Sequence, residues 1–460
     1  MPFVSINPAT GRKLRSWPAH RPAEVERRVA KAAAAARRWR GSTLAQRAAH
    51  LRAIARVLRA RARELSALVV AEMGKPLAQA KAEIEKCATT CEFYARHGGG
   101  FLAPERPVGA AKNGEVHFEP LGTVLAVMPW NFPIWQALRA ATPAIMAGNT
   151  FLLKHAPNVT GCALAVESLL AQAARDRRGP APAGLLQALL VEPPAIARLL
   201  ADPRVHAVTL TGSTRAGKSV AAAAGAAMKK GVFELGGSDA YVVLADADLD
   251  LAAEICAQSR LINSGQSCVC AKRFIVVEKV RREFEGKFAA RLAARRVGDP
   301  LAPATDVGPL ARADLRDRLH AQVRASLRAG AKLVFGGRPA PGPGWFYLPT
   351  LLTGVRPGMP AYSEELFGPV AAVIAARDEE HALALANDTV YGLGAAVFSR
   401  SRRRARAAAA RIEAGAVFIN DFVRSDAALP FGGVKQSGHG RELGAFGIRE
   451  FVNIKTVWTG

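Results

Sequence analysis

Between Gly122 and Leu235 the chain alternates short, continuously apolar runs with longer amphipathic stretches. The runs at 123–127, 150–154, 185–190, 206–210 and 232–235 are too short for helices and apolar at nearly every position. That pattern belongs to strands buried on both faces. The stretches at 133–147, 159–174, 194–201 and 214–229 space their apolar residues at helical intervals and supply the cover. Strand–helix alternation of this kind predicts a parallel, doubly wound α/β sheet of nucleotide-binding type. A second block repeats the pattern, with strands near 240–244, 273–277, 369–375, 395–398 and 416–419 and helices between them. Ahead of both, the first hundred residues read as helices. Ser42 or Thr43 caps one in which Leu44, Leu51, Ile54, Leu58, Leu65 and Leu68 keep helical spacing, and Gly74 and Pro76 stop it. The Gly- and Pro-rich segment 98–119 breaks the helical pattern and ends in the extended run Glu115–Glu119. It predicts a protruding hairpin able to pair with the 451–458 run of another subunit.

Composition narrows the class. A chain of 460 residues is long enough for two or more cored domains. The N-terminal residues lack a basic segment followed by an apolar core, so no secretory signal is expected. The longest uncharged stretch, 120–138, contains Pro129, Asn131 and Pro133 and would leave backbone groups unpaired in lipid, so no membrane association is expected. Six cysteines are too sparse for a disulfide framework, which fits a reduced, cytoplasmic setting. No spacing suggests a metal, and Cys87 and Cys91 read as two small core residues sharing a helix face. The net charge of +25 comes from arginines spread over many helices among alanines, with no aromatic interleaving. It predicts a solvated basic surface and no specific nucleic-acid partner.

Residues 212–219, Gly-Ser-Thr-Arg-Ala-Gly-Lys-Ser, match the phosphate-loop pattern of NTPases letter for letter, between a predicted strand and helix, and Asp246 offers a magnesium ligand. A glycine turn at a helix N-terminus also suits the phosphates of a dinucleotide. Other motifs decide between the two readings. In order along the chain stand Pro129-Trp-Asn-Phe-Pro133, Leu153-Lys-His-Ala-Pro157, Leu210-Thr-Gly-Ser-Thr214, Glu234-Leu-Gly-Gly237, Gly265-Gln-Ser-Cys268, Glu364-Glu-Leu-Phe-Gly-Pro369 and Pro430-Phe-Gly-Gly-Val-Lys-Gln-Ser-Gly438, with Gly440-Arg-Glu442 after them. Seven such motifs in this order resemble the aldehyde dehydrogenase superfamily over essentially the whole chain.

The resemblance implies an aldehyde dehydrogenase-like α/β fold: a dinucleotide-binding domain (1–97 and 120–234), a catalytic domain (235–444) and an oligomerisation arm (98–119 and 445–460), assembled as a homodimer or homotetramer. It implies NAD or NADP as cofactor and oxidation of an aldehyde to a carboxylate. Carbonyl attack needs a thiolate, and Cys268 matches the family nucleophile. The oxyanion needs preorganised donors, which the resemblance assigns to the Asn131 amide and the Cys268 N–H. Glu234 matches the base that activates water on the thioester. On the cofactor side, Glu365 matches the residue holding the nicotinamide ribose, Phe367 packs by the ring, Lys154 contacts the adenosine ribose and Ser213 sits at the pyrophosphate turn. Trp130, Gly212, Gly217 and Leu235 complete that wall. Many NAD-specific members have glutamate three residues after the lysine. Here Pro157 stands there, which removes one barrier to NADP; His155 either helps hold a phosphate or is an ordinary loop residue. Cys270 either pairs with Cys268 in a redox disulfide, as in relatives, or is a small buried residue.

The details around Lys154-His-Ala-Pro-Asn158, Gly236-Gly-Ser-Asp239 and Asn453-Ile-Lys-Thr-Val-Trp458 most resemble bacterial succinate-semialdehyde dehydrogenases. A semialdehyde carries a distal carboxylate. Arg139, eight residues beyond Asn131 and on about the same helical face, is expected to read it, with Ser425 as a second contact and Trp135 in the substrate wall. An arginine on an otherwise uncharged helix is costly to bury without a partner, which is the physical ground for that expectation. Another branch of the family places an arginine six residues before the nucleophile; here that position is Ile262, so a related semialdehyde such as glutarate semialdehyde, or a broader range of aldehydes, stays open.

Overall fold

The computed structural model describes residues 2–110, 113–176 and 178–460. Its centre is two sheets. The first has the order Gly438–His439, Lys230–Glu234, Val205–Thr211, Thr123–Met128, Thr150–His155, Leu186–Ala188, parallel throughout except for the first strand. Each of the five predicted strands of this unit is present, with the helices Pro133–Met146, Thr160–Ala173, Ala195–Ala201 and Thr214–Ala226 between them. The chain begins at Thr123–Met128, builds to one side through Leu186–Ala188, then crosses to build the other side from Val205–Thr211. The order therefore reverses between Thr123–Met128 and Val205–Thr211. Loops leaving adjacent strands at such a switch point diverge and open a crevice at their carboxyl ends.

The second sheet runs Lys332–Phe335, Thr350–Thr353, Val370–Ala376, Ala271–Val277, Asp239–Val243, Gly394–Phe398, Ala416–Ile419, antiparallel only at its first pair. Val242, Ile275 and Ala396 in its centre are fully buried, as strands covered on both faces require. Lys332–Phe335 lacked a readable signal, since two of its apolar residues, Leu333 and Val334, face solvent.

Two expectations about the remaining segments change. The helix expected from Thr43 up to its stop at Gly74 and Pro76 is two, Leu44–Ala60 and Ala62–Met73, with Arg61 between them. Its start is as read: Thr43 and Gln46 form a capping box. Gly74 ends the second helix in the left-handed region (φ 77°), as read from its position. The segment 98–119 folds back on itself as expected, Glu105 and Val116 exchanging both backbone hydrogen bonds (3.0 and 2.8 Å), but not as two full strands. The helix Leu77–Phe101 runs into it, and only Gly114–Pro120 is a strand; residues 111–112 lie outside the described residues. That strand pairs with Val452–Trp458 of the same chain, from Val452–Pro120 through Trp458–Gly114. Pairing within the chain has a local cause. Asn149, fully buried, donates to the Phe451 and Ala144 carbonyls and accepts from Gly122 N, pinning both strand roots to the first sheet. No helix among the described residues is long and apolar enough to cross a membrane.

Candidate active site

The sequence 262–268 leaves the helix Leu249–Leu261 through a sharp reversal in which Asn263, Ser264 and Gly265 all have positive φ (53°, 56° and 76°). Two of these are not glycine, so the surroundings must hold them there. Asn263 donates to the carbonyls of Asn131 (2.7 Å) and Gln266 (3.0 Å), and Ser264 Oγ accepts from Gly308 N (2.9 Å). Arg260, fully buried, donates to the Gly265 carbonyl (2.7 Å). Lys272 Nζ donates to the carbonyls of Ser267, Cys268 and Cys270 at 2.8–3.2 Å. Gly265 is obligatory for a second reason: a Cβ there would meet the Gly368 carbonyl at 2.3 Å. Two buried cations thus grip the carbonyls on either side of Cys268 and fix its loop.

Cys268 is the one cysteine of the six that is not buried. It opens onto a cavity of about 460 Å³ that Lys86, Trp135, Arg139, Ser425 and Phe431 also line. Enclosure pushes its thiol up to about 12; Arg139 and Lys272 draw it down, while Glu234 and Glu365 add to the rise. A thiol in this state needs a base in reach before it can attack a carbonyl. Asn131 ends the crevice loop at the switch point and donates one amide N–H to Gln266 O (3.1 Å), two residues from Cys268. Its second amide N–H is free to bind an oxyanion, and among the described residues no acceptor pairs with the Cys268 N–H.

Glu234 terminates the strand Lys230–Glu234, buried, with neither carboxylate oxygen hydrogen-bonded among the described residues. The next residues bring Gly237 so close to the Cys268 loop that a Cβ would lie 2.8 Å from the Cys268 carbonyl. Burial raises the Glu234 pKa well above the carboxylate range and Glu442 raises it further; Arg139 and Arg441 oppose. Glu442 is raised by burial too, with Arg139 holding it down. Glu442, quoted in the sequence only as part of a motif, is therefore a member of the site. No local signal revealed this, because its partners lie on remote segments.

That pairing revises the account of Arg139. The guanidinium is buried and lines the cavity, as expected, but it is not unpartnered. It forms an ion pair with Glu442, donates to Thr211 Oγ1 (3.2 Å) and lies 4.9 Å from the centre of the Phe431 ring. The cost of burying it is met by Glu442, so that cost is no argument for a substrate carboxylate. Ser425 and Trp135 are where they were expected, on the cavity wall. Lys86, missed in the sequence, stands between them: its Nζ donates to Ser425 Oγ (2.7 Å) and Ser425 O (2.9 Å) and lies 4.6 Å from the Trp135 ring centre.

Across the crevice the expected cofactor residues gather at the carboxyl ends of the first sheet. Val205–Thr211 passes to Thr214–Ala226 through only Gly212 and Ser213, and Ser213 caps the helix by accepting from Ala216 N. The phosphate-loop reading fails here, since residues 214–219 are helical and leave no loop to wrap a triphosphate. Lys218 turns outward to Gln436 Oε1 (3.4 Å), and Asp246 is engaged by Ser399 and Arg404 of the second unit. A short turn onto a helix N-terminus fits a diphosphate instead. Gly217 lets that helix approach Leu235, whose side chain a Cβ would meet at 2.3 Å. Lys154, largely buried at the end of its strand, has no hydrogen-bond or ion-pair partner among the described residues, and burial lowers its pKa against the pull of Glu192. An unmatched ammonium there fits an anionic or hydroxyl-bearing ligand. Pro157 opens an exposed turn just beyond it. His155 is excluded as a phosphate contact: it is buried against the Pro133 carbonyl (2.8 Å), and burial lowers its pKa to about 4, leaving it neutral. Glu365 accepts from Gly237 N (3.1 Å) and lies 3.6 Å from Lys272, and Phe367 meets Trp130 edge to face at 5.6 Å. Cys270 is buried, its sulfur on the Ile262 carbonyl side of the loop.

The model of the aldehyde dehydrogenase family matches residues 2–457. The chain is 48% identical to the succinate semialdehyde dehydrogenase [NAD(P)+] of Escherichia coli, over 99% of this chain and 97% of that protein. It is also 48% identical to succinate-semialdehyde dehydrogenase [NADP(+)] 1 of Mycobacterium bovis, over the full length of both. Among solved structures, the succinic semialdehyde dehydrogenase of Streptococcus pyogenes in complex with NADP+ superposes with a TM-score of 0.95 at 35% identity, covering 99% of each chain.

The Arg139–Glu442 pair makes a stability prediction. Arg139→Leu strands a buried carboxylate and should cost roughly 3–5 kcal/mol in urea unfolding. The double variant Arg139→Leu/Glu442→Leu should recover most of that loss. Equal losses in the single and double variants would mean that the two side chains do not act as a unit.

Proposed function

The chain belongs to the aldehyde dehydrogenase family, and from that premise we propose that it oxidises succinate semialdehyde to succinate with NAD or NADP. The observation that carries the reading is Cys268, the sole partly exposed cysteine, opening onto a half-open cavity whose largely apolar wall also carries basic side chains. The named substrates of the relatives agree with it. We further place the enzyme in the cytoplasm as a homo-oligomer, with 1–97 and 120–234 holding the cofactor, 235–444 the substrate side and 98–119 with 445–460 the oligomerisation arm.

In this mechanism Cys268 is the nucleophile. Its sulfur bonds to the aldehyde carbon as its proton passes to ionised Glu234. The carbonyl oxygen, now an oxyanion, takes the free N–H of Asn131 and the backbone N–H of Cys268. Lys154, Ser213, the Gly212–Gly217 turn, Leu235, Trp130, Glu365 and Phe367 would hold a nicotinamide dinucleotide, which when bound would supply the acceptor for the hydride leaving this carbon. Cys268 is then acylated as a thioester. Glu234, relieved of its proton, takes one from water as the water oxygen attacks the thioester carbon, and the C–S bond breaks to return the thiolate and release the acid. Trp135, Arg139 and Ser425 form the substrate wall. Arg139 is also the counter-charge that lets one of the two carboxylates ionise.

Glu234 must be ionised to act, and its pKa is raised, so turnover should climb with pH through its ionisation. Glu442→Gln removes a like charge and frees Arg139 toward Glu234. Both changes lower the Glu234 pKa, so the climb should move to lower pH. An unmoved or upward-shifted profile would contradict the coupling. Glu234→Gln removes the base from both steps, so the first-turnover formation of reduced cofactor should slow and steady turnover should fall by about 10²-fold or more; unchanged steady turnover would remove Glu234 from the mechanism.

Cofactor choice follows from Pro157. With no carboxylate three residues beyond Lys154, a 2′-phosphate would meet the Lys154 ammonium without an anion from that position to repel it, although Glu192 also acts on Lys154. Pro157→Glu should reduce the NADP-to-NAD ratio of kcat/KM by about tenfold or more, the effect of a like charge at close range. A ratio unaffected by the substitution would place discrimination elsewhere.

A further inference from the structure

The cavity beside Cys268 carries four basic side chains: Lys86, Arg139, Arg295 and Arg424. Three are already matched. Arg139 pairs with Glu442, Arg295 with Glu254 at 2.5 Å, and Arg424 with Asp421 at 2.7 Å. The cavity's own carboxylates do not alter this. Glu83 is bound to Lys75 and accepts the N–H groups of Ile134 and Trp135, and Asp306 accepts from Arg296 N. Lys86 alone has no carboxylate within ion-pair distance among the described residues. Its partners are both neutral oxygens of one residue, Ser425.

An ammonium partly withdrawn from water and left without an anion is a costly arrangement. Here it has a definite geometry. Two of the three N–H bonds of Lys86 go to Ser425, and the third has no acceptor among the described residues. Because Ser425 Oγ accepts from Lys86, its own O–H points elsewhere and likewise meets no acceptor among the described residues. Two donors 2.7 Å apart, one of them charged, therefore line the half-open cavity with no acceptor from the described residues. A carboxylate has two acceptor oxygens at a spacing that suits such a pair. We propose that Lys86, buttressed by Ser425, is the specificity-determining residue that reads the distal carboxylate of the substrate, with Arg139 kept to its work on Glu442 and Glu234. The inference rests on the semialdehyde reading above and assigns its recognition to a different side chain.

The electrostatic surroundings make the assignment pH-dependent in a defined direction. Burial and the facing Arg139, from the helix Pro133–Met146, lower the Lys86 pKa to about 8. Glu83 and Cys87 on its own helix and Asp426 beside Ser425 oppose the fall. The ammonium is present below that value and lost above it. Recognition of a charged aldehyde should therefore weaken, relative to an uncharged one, as pH passes through about 8.

The readout is the ratio of kcat/KM for succinate semialdehyde to that for butanal, an uncharged aldehyde of the same carbon count. Lys86→Met should lower this ratio roughly 30-fold or more, mostly through KM for the charged aldehyde, since a charge-assisted pair is replaced by an apolar wall. Lys86→Gln, which keeps a donor, should fall between. Lys86→Arg should keep most of the ratio at pH 7 and abolish its decline above pH 8, because guanidinium does not titrate there. A residue of merely structural importance would lower both aldehydes together and leave the ratio and its pH profile unmoved, and that result overturns the proposal. A strong wild-type preference for succinate semialdehyde that survives in Lys86→Met and Lys86→Gln overturns Lys86 alone. A wild-type enzyme with no such preference overturns the substrate reading and this inference with it.

Discussion

Two buried carboxylates, Glu234 and Glu442, share a single buried guanidinium, Arg139. In a low-dielectric setting one cation stabilises one anion well and two anions poorly, so the second carboxyl group holds its proton. The ion pair with Glu442 makes Glu234 the group left raised and responsive. That is the property the proposed mechanism requires of Glu234, which there takes a proton twice per turnover and releases it each time. The same guanidinium draws down the thiol of Cys268. One charge on the helix Pro133–Met146 thus acts on both Cys268 and Glu234, the nucleophile and base of the proposed mechanism.

The two sheets serve this triangle by delivering its members from different directions. Glu234 ends a strand of the first sheet, Arg139 lies on the helix that follows the first sheet's opening strand, and Cys268 precedes a strand of the second. Such sites tolerate little slack. Three left-handed residues at 263–265, the carbonyl grip of Lys272 and Arg260, and the contact of Gly265 with Gly368 leave the Cys268 loop one conformation. On the cofactor side the constraint is space as well as charge: Gly217 brings a helix N-terminus down onto Leu235 at the switch point.

Most of the fold was legible because it is written in local pattern. Continuous apolar runs marked the buried parallel strands of both sheets except Thr350–Thr353, and Thr43 and Gly74 marked helix ends through their own backbone chemistry. Elements without such a signal were lost: Lys332–Phe335 exposes its apolar residues, and Arg61 breaks a helix that the leucine spacing carries straight through. The literal phosphate-loop match misled for the opposite reason, because a local string says nothing of where helix begins, and here the helix consumes it. For the site, motif resemblance brought forward Cys268, Glu234 and Asn131 but not their partners. Arg139 meets Glu442, and Lys86 meets Ser425, across hundreds of residues of chain. Long-range charge matching has no periodicity to read. Without it, a paired arginine and an unpaired lysine look alike in sequence.

The most direct test of the central claim is the behaviour of Cys268→Ser in two measurements on one preparation: reduction of NAD or NADP by succinate semialdehyde, and binding of the dinucleotide by calorimetry. A serine hydroxyl is far harder to ionise than a thiol, while the cofactor residues lie on other segments. The account predicts that cofactor reduction disappears, including any first-turnover burst, while dinucleotide affinity stays within a few-fold of the parent. Persistent aldehyde oxidation by the variant would contradict it.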